Sequence, residues 1–269
     1  MARSRRKNRR RGASGGAILL GVVLLLLAGS GFGAMIYFKM TVEQEALDPV
    51  TLCPVSGPKA QMAILLDMTD PVSASQLAAA RSMIEREIDR AAPGTRISLA
   101  LVSPDLAVQG RVRLSVCKPR MGAVANKFYE NPAMIDARYR DGFAAPLEAA
   151  LQSLLSAEGS KTSPIMESLQ ALIADAPGFR TFEGPRKLVI FSDLMQHGEL
   201  MSFYRGQTWR DLEKSGATAR FAHSLTDTDV VILRIPRPKA PAADVDDFWS
   251  RYFDMQGAAS VRLHVVGDL

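Results

Sequence analysis

The sequence predicts an α/β domain built on a doubly wound, mostly parallel sheet with helices on both faces, preceded by one transmembrane helix. Three observations lead there. Six short apolar runs alternate with amphipathic stretches, which is the pattern of strands joined by helical crossovers. Three of those runs are apolar without interruption, as parallel strands covered on both faces require. Only one neighbouring pair of runs is too close in sequence for a helical crossover.

Residues 1–16 form a basic tail. The 269-residue chain carries a formal net charge of +5, but seven of its 33 Lys and Arg (Arg3, Arg5, Arg6, Lys7, Arg9, Arg10, Arg11) precede residue 12. Setting them aside leaves 26 basic residues against 28 acidic ones. A nucleic-acid-binding domain would carry positive charge on its folded surface, so this function class is excluded. Residues 17–38 contain no charge, and 22 residues at ~1.5 Å rise cross a ~30 Å hydrocarbon layer. The positive-inside rule keeps the tail in the cytoplasm and sends the rest across. The expectation is a single-pass protein of the cytoplasmic (inner) membrane with a periplasmic or otherwise extracytoplasmic domain. Ala28-Gly29-Ser30 would serve as a signal-peptide cleavage site, but the apolar stretch continues through Phe38. Gly29 and Gly33 have the spacing that packs two anchors together, which would make the chain a homo-oligomer through its anchor.

Residues 39–60 hold Pro49, Pro54 and Pro58 with little periodicity and read as a juxtamembrane linker to the domain at 61–269. Strands are expected at 61–67, 95–102, 110–117, 187–192, 229–235 and 260–266. Helices are expected at 74–91, 143–157, 164–175, 208–221 and 244–256. Ser73 with Gln76, and Thr208 with Asp211, have capping spacing, and Ser163-Pro164 places a cap and a first-turn proline at another helix start. The second and third strands must pair antiparallel and the others parallel through right-handed crossovers, giving the order 3-2-1-4-5-6. Phe248, Trp249, Tyr252 and Phe253 recur as one wide buried face of the last helix. His264 falls inside the sixth strand and is expected to be packed or paired there. His197, His223 and His264 are too scattered to hold a metal together.

Cys53 precedes the first strand and Cys117 ends a third strand that runs the other way, so both fall at one end of the sheet. Their strands lie two positions apart, roughly 9.6 Å at ~4.8 Å per step, which the flexible residues between 53 and 60 span. A Cys53–Cys117 disulfide is therefore expected, and it fits an oxidising compartment.

In wound sheets ligands bind at the carboxyl ends of the strands where the winding reverses, here between the first and fourth. Asp67-Met68-Thr69-Asp70-Pro71 and Ser192-Asp193 deliver carboxylates to that edge, and Thr162-Ser163 brings hydroxyls. Carboxylates with hydroxyls suit a hard divalent cation such as Mg2+. The same residues have a second reading, as strand-end acceptors of loop N–H groups and as a helix cap.

At these positions the chain resembles the von Willebrand factor type A family over roughly residues 60–267. The family pattern is Asp-x-Ser-x-Ser after strand one, a Thr in a later loop and an Asp after strand four, which together form a metal-ion-dependent adhesion site. Asp67 matches the first Asp, Thr69 replaces the first Ser, Ser163 of Ser163-Pro164-Ile165 stands at the Thr, and Asp193 matches the last Asp. Pro71 occupies the place of the second Ser and has no hydroxyl, so one ligand of the family's metal is missing. Asp70, Ser73 and Thr162 are secondary candidates, Ser73 being also the cap of its helix.

The resemblance implies a protein-binding module, with no catalytic residues, that captures an envelope or other extracytoplasmic protein with or without a divalent cation. Residues 194–207 spring from the same edge, and Met195, His197, Met201, Phe203 and Tyr204 are either its partner-binding surface or a short helix folded onto the domain. Two other readings stand beside this one. One is a structural subunit of a cell-envelope assembly with a vestigial metal site. The other is a magnesium-dependent phosphohydrolase of the haloacid dehalogenase kind, which needs an Asp where Thr69 stands.

Overall fold

The computed structural model describes residues 15–41, 46–126, 130–221, 225–237 and 242–267. The basic tail before Gly15 and His223 lie outside the described residues. The chain divides into two units, Met1–Glu45 and Ala46–Leu269. The first contains helix α1, Gly15–Thr41. Within it, Ile18–Tyr37 is long and apolar enough to cross a membrane.

The second unit is a six-stranded sheet in the order β3-β2-β1-β4-β5-β6. Its strands are β1 (Ala60–Leu66), β2 (Thr95–Leu101), β3 (Leu114–Cys117), β4 (Arg186–Ser192), β5 (Thr228–Arg234) and β6 (Ser260–Val265). Only β3 runs antiparallel, with Arg96 opposite Cys117, and every other pairing is parallel. The expected order and winding are the observed ones. Strand three is shorter than expected because Gly110 takes a positive φ of 60° and lies against α5, where a Cβ would stand 2.1 Å from the Ser168 carbonyl. The chain bends there, and only the Gly110 and Arg113 N–H groups still reach β2, at the Leu101 and Leu99 carbonyls.

Seven helices follow α1 among the described residues: α2 (Ala74–Arg90), α3 (Pro132–Tyr139), α4 (Ala145–Leu155), α5 (Ile165–Asp175), α6 (Trp209–Lys214), α7 (Ala217–Phe221) and α8 (Ala242–Met255). Helix α3, absent from the sequence reading, continues into α4 through a wider π turn at Arg140–Ala144. Pro146 lacks the N–H that a regular turn would need, and the turn shifts the register past it. The stretch read as one helix over 208–221 is two short helices broken at Gly216, where φ is 70°.

Alternate residues of β1 supply both cores. Met62, Ile64 and Leu66 pack with Ile84 and Ile88 of α2 and Leu147 and Leu151 of α4. Ala63 and Leu65 pack with Ile165, Leu169 and Leu172 of α5 and with Phe248, Trp249, Tyr252 and Phe253 of α8. The aromatic face of the last helix is buried as expected. β6 is an edge strand exposed along most of its length, so the His264 side chain is exposed instead of packed, while its backbone pairs with β5 beside Leu233.

Residues 46–59, expected as linker, fold with the domain. Leu52 and Cys53 are buried, and Cys53 is bonded to Cys117 with a Cα–Cα distance of 4.7 Å. Beside it, the buried Lys118 ammonium donates to the carbonyls of Ile88, Asp89 and Ala91 at 3.1, 2.7 and 3.0 Å. It thereby caps the C-terminus of α2, where carbonyls lack intrahelical donors. Replacing both cysteines with alanine removes a cross-link across 64 residues. In the chain-entropy model this costs about 4 kcal/mol. The full-length protein in detergent should then melt roughly 10 °C lower by intrinsic fluorescence.

Candidate functional site

Parallel pairing of β1 with β4 sets Leu66 beside Phe191, so the residues that follow each strand emerge at the same rim. Asp67 is 4% exposed and Asp193 3%. Asp67 accepts four hydrogen bonds. Its Oδ1 receives the Thr69 N–H at 3.1 Å and hydroxyl at 2.6 Å, and its Oδ2 the hydroxyls of Ser192 at 2.6 Å and Ser163 at 3.2 Å. Burial, and then the charge of Asp193, push its pKa up, against the pull of the Ser192 and Thr69 donors. The sequence thus places Asp67, Thr69, Ser163 and Asp193 correctly at one rim, and it misses Ser192 as a fifth member.

Ser163 is not the cap of α5. Its hydroxyl is committed to Asp67, and the helix begins after Pro164 with no cap from its own segment. The cap comes from the 194–207 loop instead, where buried Gln196 accepts the Met166 N–H at 2.9 Å. Backbone bonds in both directions between Ser163 and His197, 2.9 and 2.8 Å, fasten the loop to this helix start. Ser73 caps α2 in a reciprocal box with Gln76. Thr162 donates its N–H to Ser160, whose own N–H holds the Thr69 carbonyl at 2.8 Å.

The partner-binding set divides. Met195 and Met201 are buried in the core, which corrects their reading as docking residues. Phe203 is half-buried edge-on against Phe248, so the loop is folded onto the domain. It is held there by Trp249, whose indole N–H donates 2.9 Å to the Leu194 carbonyl, with Leu194 at a φ of 65°. A positive φ in a buried leucine is strain the surroundings must impose. Tyr204 is 60% exposed, its ring 5.2 Å from that of His197, which is half-buried with Nδ1 hydrogen-bonded to the Ser202 hydroxyl at 2.8 Å.

The residue that sequence reasoning missed is Arg237, in the loop after β5. Its Nε donates to Asp193 Oδ2 at 2.7 Å and its Nη1 to the Pro71 carbonyl at 2.8 Å. Asp193 Oδ1 accepts the Met195 N–H at 2.9 Å. Asp70 completes the group: burial and the Asp193 charge raise its pKa while Arg237 pulls it down. The Tyr204 hydroxyl is also pushed up, by burial first and then by Asp70 and Asp193.

These residues do not fit a divalent ion. A guanidinium already holds the Asp193 carboxylate, and Pro71 has no side-chain hydroxyl to offer an ion.

An open wound sheet with a polar rim at its switch point defines the class of domain. The second unit has that architecture, and the chain also holds an N-terminal apolar helix. No protein-family model matches the chain, and no curated protein matches it. Solved structures that align with it include an aerotolerance-related membrane protein from Bacteroides fragilis with multiple mutations to serines. The identity is 11% and the TM-score 0.38, over 76% of this chain and 92% of that one. Another is proximal thread matrix protein 1 from the mussel byssus, with a zinc-occupied MIDAS motif, at 9% identity and a TM-score of 0.40. That alignment covers 77% of this chain and 42% of the mussel protein.

Asp70 gives a prediction whose sign follows from its raised pKa. A carboxyl that holds its proton more tightly when folded stabilises fully below the unfolded pKa, and the benefit is lost as pH rises through the folded value. Asp70→Asn should therefore melt higher than the parent near pH 7, with the gap closing toward pH 3.8 and below. Thermal melts across pH 3 to 8 check this, and a gap independent of pH contradicts it.

Proposed function

We propose that the chain is a single-pass membrane protein whose second unit is a docking module for an extracytoplasmic or envelope protein, acting outside the cytoplasmic membrane without covalent chemistry. The observation that carries this reading is the rim. Buried, fully hydrogen-bonded carboxylates form a rigid floor, and side chains without a structural task, chiefly Tyr204, stand above it. A groove of about 550 Å³ adjoins it, lined by Leu106, Thr162, Pro164, Glu167, His197 and Leu200. Leu106 is 79% exposed, and exposed large apolar and aromatic residues beside a groove are the usual centre of a protein interface. The compartment is argued from the basic tail, the apolar helix and the Cys53–Cys117 bond, which persists only where thiols are oxidised.

The structural-subunit reading is favoured by one specific observation, the buried Met195 and Met201, which turn the expected docking loop into scaffold. Both readings share the docking surface and differ in how permanent the complex is.

Crosslinking of the full-length protein in its native membrane, followed by identification of the attached proteins, tests the proposal. A defined envelope protein should be recovered, and Leu106→Asp or Tyr204→Ala, both at exposed positions, should reduce its recovery at least about tenfold, the scale of a ~1.4 kcal/mol contact. Equal recovery from parent and variants would overturn the proposed surface.

A further inference from the structure

We propose that Arg237 is the resident cation of this rim, supplying the positive charge a divalent ion would otherwise bring, and that the native site is thereby closed to magnesium, manganese and zinc. The geometry has two halves. Residue 71 is a proline, which offers no side-chain hydroxyl to an ion, and its main-chain carbonyl accepts Nη1 of Arg237 at 2.8 Å. Through Nε the same guanidinium holds Asp193 Oδ2 at 2.7 Å, an oxygen that a metal at this edge would need directly or through water. One planar group therefore spans the strand-one loop and the strand-four loop, as a bound ion would.

The charges agree with this. Asp67, Asp70 and Asp193 gather at one rim, and Arg237 is the basic side chain that faces Asp193 there. Arg237 is only 26% exposed and Asp193 3%, so their attraction is screened far less than a surface pair's. An incoming divalent ion would meet a fixed positive charge on the carboxylate it needs. It would also meet a carboxylate, Asp67, whose two oxygens are already occupied by four donors. Docking at the rim, whatever the partner, would then need no metal.

The test uses the full-length protein in detergent and needs no partner, so its failure is separate from failure of the docking proposal. Thermal midpoints are read with EDTA and with magnesium, manganese or zinc chloride. The wild-type midpoint should not respond to ions or chelator. Arg237→Ala should melt lower and recover when an ion is added. Arg237→Ala combined with Pro71→Ser, which restores a hydroxyl, should respond most, rising roughly 5–10 °C with the ion at about 100 times its dissociation constant. Arg237→Lys keeps the charge and should remain unresponsive. A wild-type midpoint that rises with an ion as the double variant does would overturn the proposal, as would the absence of any response in both alanine variants. If those variants do not fold, calorimetry of the wild type with magnesium decides alone: a binding isotherm overturns the proposal and a flat trace supports it.

Discussion

The structure around the rim depends on one constraint: parallel pairing of β1 and β4 forces two aspartates, each following its strand directly, out of water at the same edge. Two carboxylates in a low-dielectric setting repel each other and lose hydration, and the fold must answer both costs. It has three ways to do so, a proton, a metal ion or a fixed cation. Asp67 is answered with hydroxyl and amide donors and a raised proton affinity, and Asp193 with Arg237. The different answers follow from position. Asp67 is held by Thr69, Ser163 and Ser192, whereas Asp193 is reached by Arg237 from the loop after β5.

This constraint also explains the loop after Asp193. A segment rich in Met, Phe and Tyr looks like a docking surface, yet its apolar members are consumed in covering the sheet. Gln196 reaches back to cap α5, Trp249 clamps Leu194 from α8, and Ser163 and His197 exchange backbone bonds. The loop is thus pinned at three points from two helices. What it presents outward are Glu199, Tyr204 and Arg205, whereas the His197 ring is half-buried against Ser202. Rigid scaffolding that aims a few side chains outward costs less entropy on binding than a mobile loop would.

How far the sequence could be read depended on the range of the interaction. Strand order, the buried aromatic face of α8 and the cysteine pairing were legible because periodicity and connection length are local, and topology then follows from few rules. Asp67, Ser163 and Asp193 were legible because each sits at a strand or helix end. Arg237 was not, since nothing local in Arg234-Ile235-Pro236-Arg237 reports a partner 166 residues away at Pro71. The cap of α5 was misassigned to Ser163 for the same reason: local capping rules weigh the nearest hydroxyl, and here a distant carboxylate competes for it and wins. His264 failed differently. An alternating strand pattern marks β structure but does not say whether a final helix covers the edge.

The two ends of the sheet are held by different physics. At the end where β1 begins, the cross-link from Cys53 to Cys117, the Lys118 cap on α2 and the buried Glu87 bonded to Lys187 at 2.8 Å and Arg90 at 2.7 Å tie several elements together. Burial alone would raise the Glu87 pKa, yet its two cations hold it below the usual carboxylate value, so this end gains stability from charge at neutral pH. The rim does the reverse: burial and the Asp193 charge raise Asp67 and Asp70 from the ordinary Asp value. Charge is therefore favourable where the fold is anchored and costly where a ligand would meet it. An apolar, close-packed sheet separates the two ends, so a change at the rim leaves the cations of the far end in place. The rim can then be a binding edge while the clamped end carries the stability the edge lacks.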